Sequence, residues 1–451
     1  MTRLSRRRLL TSGAAASMLA ATAFATQAQP VRGGALRLAL PARGSGAFRE
    51  LVSVTTVFNR LTATDADGGL RGELATAWEA SSDARDWSLT LRRDVQFHDG
   101  SPMTAADVAA SLASARALRH ELQEVRADGP DRVRIRLTAG NPGLPFLLSD
   151  ASLAIAKDGL GTGPYRRTEA GLDAVEGYFD NRRPGWFDRI DFVSVPTPRD
   201  LADAVQTGLA DVAELCDPAG TRIRHGRPAI TTMAHPYALQ ITAQGAQVQA
   251  LAQSLKLGID RAALLKDWLG GKGAVAADYP TRAAQVTPSV DRVQARAILR
   301  QANLDQATLG LSDDLVHCPA TARLLRALSR DARAVGLSLA LADRDGTRPA
   351  DLEVSLKPLR MTPEATLADH PPGGLENVPH FDDRLAAARA AASTADRWKL
   401  LHDLEQDVAR HSTTVIPVLR DMAVIHTPRL DLSRESRARS GPHIAERWAF
   451  T

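Results

Sequence analysis

VFNRLTATDADGGLRGELATAWEASSDARDWSLTLRRDVQFHDGSPMTAADVAASL, residues 57–112, decides how this chain is read. A helical stretch, residues 48–61, runs into it, and an acidic turn follows at Asp65 and Asp67. Leu74, Ala75 and Trp78 have the spacing of one helical face, so that segment is predicted as a helix. Residues 87–92, WSLTLR, alternate apolar and polar side chains and are rich in strand formers, which predicts a strand. Phe97-His98-Asp99-Gly100 is a turn, and Thr104 with Asp107 three residues later is a helix-capping pair. No catalytic group recurs along this order. It reads as framework rather than chemistry, and His98 inside the turn is read as structural.

The 451 residues exceed one ordinary hydrophobic core, so two or three domains are expected. Apolar content of 44% and charged content of 24% are those of a soluble globular protein. The first 28 residues are set aside as a leader: Ser5-Arg6-Arg7-Arg8-Leu9-Leu10 is a twin-arginine export motif, followed by an Ala- and Gly-rich run. That run falls short of the about 20 apolar residues a spanning helix needs. Cleavage after Ala28 and cleavage after Ala25 both fit, and no Cys stands at the junction to carry a lipid. The leader holds four of the 56 basic residues (Arg3, Arg6, Arg7, Arg8) and no acid, so the remainder balances 52 basic against 52 acidic side chains. A nucleic-acid binder keeps a basic excess in its folded part, and this chain does not. The expected destination is the periplasm. Cys216 and Cys318 are the only cysteines; one disulfide and two buried thiols both fit an oxidising compartment.

Further along, residues 34–40, GALRLAL, predict a strand behind a glycine turn, and Ser45 with Gly46 loosens the chain after it. Residues 132–137, RVRIRL, predict an edge or half-buried strand. Gly161-Thr162-Gly163-Pro164-Tyr165 has the glycines of a phosphate loop, but Pro164 stands where a phosphate-cradling helix would begin, so it reads as a sharp turn. Tyr178-Phe179-Asp180 to Pro184 leads into DRIDF at 188–192. AVQTG at 204–208 with Asp211, and then Ile259-Asp260-Arg261, come next. An amphipathic helix covers 291–302. A helix at 322–335 passes through Gly336 into a strand at 337–341, Phe381-Asp382 precedes helices at 383–392 and 395–411, and VIPVL at 415–419 is a strand.

In this order the motifs resemble family 5 of the bacterial extracellular solute-binding proteins, the receptors of peptide, dipeptide and nickel ABC importers, over almost the whole chain after the leader. The resemblance implies an α/β fold: a two-lobed, type II-like periplasmic binding protein with an additional inserted small domain. It divides the chain into the leader (1–28), a discontinuous main lobe (29–46, 159–232 and 418–451), the insert (47–158) and a second lobe (233–417). It implies a monomer that captures solute by hinge closure and hands it to permease subunits, with no cofactor, no membrane span and no enzyme activity. Gly161, Gly163, Pro164 and Tyr165 then form a turn near the hinge, where the insert rejoins the main lobe.

The chemistry an enzyme needs is missing. There is no Gly-x-Ser-x-Gly elbow, His-Glu-x-x-His, Cys-x-x-Cys or Walker loop, which leaves an exported hydrolase without a nucleophile and base. The eleven histidines are scattered, with His370 and His380 the nearest pair, so no metal site is read. Trp78, Trp87 and Trp398 are assigned to core positions. Peptide-binding relatives carry a Trp and an Asp-Pro after a strand that here reads DLEVSLKPLRMTPE, 351–364, where both are gone. Lys357 and Arg360 in their place favour an anionic or neutral ligand, a nickel chelate or other anionic small molecule among them, while Glu364 keeps a peptide ammonium open. Ser45, Gly46, Asn59, Lys357, Arg360 and Glu364 are the expected ligand-binding residues.

Overall fold

The computed structural model describes residues 31–42, 47–65, 69–119, 121–180, 186–223, 228–281, 286–343, 350–360, 362–369, 372–391, 393–433 and 447–451. The leader with its twin-arginine motif, and Ser45 and Gly46, lie outside them. No helix among the described residues is long and apolar enough to cross a membrane.

β1 (Ala35–Pro41) leads to α1 (Ala47–Val57), after which the chain leaves to build a separate unit. That unit holds the hairpin β2 (Thr62–Thr64) and β3 (Leu70–Gly72), then β4 (Ala75–Ala80), β5 (Asp86–Leu91), α2 (Ala105–Ser114), β6 (Leu122–Ala127), β7 (Arg132–Leu137) and α3 (Leu144–Leu147). Its four long strands pair antiparallel in the order β4-β5-β7-β6. Along β7 the arginines are exposed while Val133, Ile135 and Leu137 are buried, the alternation that a sheet covered on one face requires. The capping pair at α2 is present: Asp107 N donates to Thr104 Oγ1, and Thr104 N donates to Asp107.

The chain returns through β8 (Tyr165–Arg167), β9 (Gly171–Ala174), β10 (Arg189–Val195), α4 (Asp200–Gln206) and β11 (Val212–Glu214), then runs out along the 15-residue β12 (Ala229–Ala243). A second helical and strand layer follows: α5 (Val248–Gly258), α6 (Arg261–Leu269), β13 (Ala274–Val275), α7 (Arg292–Gln301), β14 (Gln306–Leu311), α8 (Asp313–Val316), α9 (Thr321–Ala334), β15 (Ser338–Leu341) and β16 (Leu352–Pro358). Then come α10 (Pro363–Asp369), α11 (Phe381–Ala390), α12 (Thr394–His411), β17 (Thr414–Val415), β18 (Val418–His426) and a closing pair, β19 (Leu430–Asp431) with β20 (Ala449–Phe450). Gly336, at φ +90°, turns α9 into β15, a backbone conformation that other residues rarely adopt.

The main sheet runs in the order β15-β14-β16-β12-β18-β11-β1-β10-β9-β8, with β13 on β18 and β17 on β12. Two cores share it. One gathers Leu36, Leu38, Val52, Val57, Tyr165 and Ile190; the other gathers Leu255, Trp268, Leu309, Leu324 and Val354. β12 gives Met233 and Tyr237 to the first and Leu239 and Ile241 to the second, and β18 likewise gives Met422 and Val424 to the first and Val418 to the second. The molecule is thus a two-lobed α/β fold whose lobes are joined through these strands. The β12–β18 register shifts between Met233 and Tyr237, just before β12 crosses from one core to the other between Tyr237 and Leu239.

Two expectations are corrected. Leu74 to Trp78 enters strand β4, not a helix: Trp78 pairs with Leu89, and Ala84 N bonds Ser81 O in the tight turn that folds β4 onto β5. The hairpin partner satisfies the backbone, which outweighs the helical spacing of three side chains. Trp398, assigned to a core, is 49% exposed on α12. Gly163 is not at positive φ, so a left-handed conformation does not explain its glycine. Close approach is the reason instead: a Cβ there would lie 2.3 Å from Thr56 O and 2.6 Å from Val57 O. Gly163→Ala should therefore destabilise the fold by about 1–3 kcal/mol through overpacking. A urea midpoint unchanged from wild type would show that the end of α1 simply gives way.

Candidate functional site at the junction of the two lobes

The parallel strands β10 and β11 flank β1 on its two sides, and their carboxyl ends lie at the same edge of the sheet. Such a switch point is where open α/β sheets bind ligands. Beside it, Tyr237 on β12 pairs with Arg420 on β18 and with Pro358 on β16, while Ala238 pairs with Lys357. Arg420 is buried, stacks 5.1 Å from the centre of the Tyr237 ring, and donates to Glu214 Oε1 at 2.9 Å. Burial pushes the Glu214 carboxyl up, and the Arg420 charge opposes it. Burial also pushes the Tyr237 hydroxyl well above its ordinary value.

Two residues past Glu214, Cys216 leaves the first lobe and packs against the core of the second. The neighbouring Cys318 thiol, together with burial, pushes the Cys216 thiol up; both are free thiols. Asp217 next to it accepts two bonds from Arg323 of α9, at 3.0 and 2.5 Å. Glu214 and Asp217 therefore carry two ion pairs from the end of β11, one to β18 and one to α9 of the second lobe.

The residues expected from the sequence fall into two groups. Asn59 is 2% exposed, and its amide is taken up within the first lobe and its insert: Nδ2 donates to Glu73 Oε1 (2.8 Å) and to the Tyr178 hydroxyl (2.9 Å), while Oδ1 accepts from Thr162 Oγ1 (3.0 Å). The Gly161–Tyr165 turn belongs to the same knot. Gly163 N donates to Val57 O, His98 N donates to Gly161 O, and His98 Nε2 bonds Gly163 O at 3.0 Å. His98 is thus structural, and burial holds its pKa below the usual histidine value. Tyr165 donates to Phe187 O and accepts from Phe187 N.

Lys357, Arg360 and Glu364 form the second group, strung along the end of β16 and the start of α10. Lys357 is half-buried, and the Arg360 backbone N–H donates to Thr366 Oγ1 at 2.8 Å. Glu364 is 2% exposed; its Oε1 accepts from Arg397 Nε at 2.7 Å, and its Oε2 is buried with no hydrogen-bond partner. Sequence reasoning missed Glu214, Tyr237 and Arg420. The available signal was Arg420 with Asp421 interrupting an otherwise apolar strand, VIPVLRDMAVI at 415–425.

Removing one partner of a buried ion pair leaves the other charge uncompensated. Glu214→Ala or Arg420→Ala should each cost about 3–5 kcal/mol in unfolding free energy. Glu214→Leu with Arg420→Met should recover most of it, and a double variant as unstable as the singles would locate the cost in packing rather than charge.

Known proteins share this architecture. The profile of "Bacterial extracellular solute-binding proteins, family 5 Middle" matches residues 69–341, more than half of the chain. The probable D,D-dipeptide-binding periplasmic protein DdpA of Escherichia coli K12 is 29% identical over 152 residues, 30% of this chain and 28% of that protein, so the match spans little more than a quarter of its length. Among solved structures, the ABC transporter-associated periplasmic binding protein DppA from Helicobacter pylori in complex with peptide STSA is similar with a TM-score of 0.76 and 14% identity, covering 93% of this chain and 98% of that one. The binding protein AgaA from A. tumefaciens R10, in complex with agropinic acid, is similar with a TM-score of 0.74 and 16% identity, covering 93% and 99%. The profile match over the middle of the chain, on the two-lobed fold these structures share, shows that the chain belongs to the bacterial extracellular solute-binding proteins of family 5.

Proposed function

We propose that this protein is the periplasmic substrate-binding component of an ABC importer, a receptor rather than an enzyme, which takes a peptide or similar small solute between its lobes. The observation that carries this reading is the sharing of β12 and β18 between two separate cores. Two long strands joining two packed bodies can bend where the register is broken, while each core stays intact. Ligand stabilises the closed form by binding it better than the open one, and permease subunits receive the closed complex. A dipeptide, a peptide and agropinic acid are what the related proteins are named with. Lys357 and Arg360 contact a carboxylate or other anionic group of the ligand, and the unpartnered Oε2 of Glu364 offers an acceptor to a donor at its other end.

Native mass spectrometry of protein isolated from periplasm should show a retained solute. With that solute, calorimetry should find that Lys357→Ala or Arg360→Ala weakens binding by at least about tenfold, the loss of one charge-assisted hydrogen bond in a closed cleft. If both variants bind like wild type, the anion assignment falls.

Export follows the twin-arginine route in this reading, because Arg6 and Arg7 stand ahead of an Ala-rich run. Arg6→Lys with Arg7→Lys should hold the precursor in the cytoplasm. Normal periplasmic yield on fractionation would point to general secretion instead.

A further inference from the structure

The inserted unit and the helices after β16 are joined covalently only by way of the main lobe and the strands β12 and β18, yet they touch. α10 packs against the turn Arg116–Leu118 of the insert. Next to that contact, Arg389 of α11 forms an ion pair with Glu121, Nη2 to Oε1 3.1 Å apart, with only 9% of the arginine side chain and 6% of the glutamate exposed. The second oxygen of Glu121 accepts from Asn141 Nδ2 at 3.0 Å, and Asn141 Oδ1 in turn accepts from Gly143 N at 2.9 Å. Gly143 is open on its Cα because the Arg397 guanidinium of α12 lies there: a Cβ would fall 3.0 Å from the Arg397 Cζ.

Each half of this contact is organised by its own body. Glu121 is held by Thr138, whose N–H and Oγ1 both donate to the Glu121 carbonyl, and Arg389 is carried on a helix packed through Leu385 and Ala388. Separating the bodies would return both to water, whereas bringing them together buries both, and only the pairing makes that tolerable. Arg389 Nε is buried without a partner, so the guanidinium has little capacity to spare if Glu121 is lost.

We propose that Glu121 and Arg389 form a latch between the insert and the second lobe, made only when the lobes are closed and setting the balance between closed and open forms. The proposal rests on the receptor reading for the hinge, but not on which solute is bound. A cleft that binds only when closed loses apparent affinity in proportion to the closed fraction, so this pair, which lies outside the Lys357 to Glu364 segment, tunes affinity from a distance.

Small-angle X-ray scattering of the full protein as purified tests the latch directly, with native mass spectrometry reporting any retained solute. Wild-type protein should match the scattering of the compact structure. Arg389→Glu and Glu121→Arg should each give a larger radius of gyration and lose retained solute, and the exchanged pair Glu121→Arg with Arg389→Glu should return the compact curve. If a reversal fails to fold by circular dichroism, Glu121→Gln keeps the shape and should expand the molecule in the same direction. Wild-type protein already expanded relative to the structure, folded single variants that stay compact, or a folded exchange that stays expanded would each overturn the latch. Wild-type protein that is compact but carries no solute would count against the receptor reading alone.

Discussion

The backbone ladder between β12 and β18 is the constraint on which the rest depends. Seven paired positions along it tie the two strands together from Ala229↔His426 to Ala238↔Leu419, and each strand sends side chains into both cores. A ladder of backbone hydrogen bonds resists stretching but bends where its register is broken, between Met233 and Tyr237. Rigidity within the lobes and compliance between them thus come from the same two strands. Neither lobe could lose them without losing part of its own core.

The polar groups of the molecule fall into two kinds of place. Inside the first lobe, Asn59, Glu73, Thr162 and the Gly161–Tyr165 turn satisfy one another and fasten the insert onto α1. Their hydrogen bonds are local and complete, which suits a joint that must not move. At the meeting of the lobes the polar groups are charged and paired across elements: Glu214 with Arg420, Asp217 with Arg323, Glu121 with Arg389. Buried pairs of this kind add little net stability but penalise any arrangement that separates or misplaces one partner. They define which relative placement of the lobes is acceptable rather than how strongly each lobe folds.

The stretch after β16 shows how one segment serves two ends. Glu364 reads in the sequence as a stand-in for a ligand-binding acid, and one of its oxygens is indeed buried without a partner. The other is bound to Arg397, whose guanidinium lies against Gly143 of the insert. A carboxylate held in this way is fixed in orientation, so the start of α10 contributes to the contact between insert and second lobe.

The chain's own residues determined the elements. Period-two alternation at 34–40 and 132–137, the Thr104 and Asp107 cap, the Asp260 opening of α6 and the stop at Gly336 all follow from local geometry that a few neighbouring residues specify, and each is present. The ordered set of such elements was enough to reveal the family and the two-lobed α/β class. Tertiary structure decided what spacing could not. Leu74, Ala75 and Trp78 fit a helix or a strand until the hairpin to β5 supplies the backbone partners. Gly163 needs to be glycine because the end of α1 approaches it, not because of its own torsion angles. The partnerships of Arg420 with Glu214 and of Arg389 with Glu121 join residues more than 200 positions apart, so no window along the sequence contains both charges. Pairing of that kind depends on how the strands are ordered in the sheet, and that order is set only when the two cores form around it.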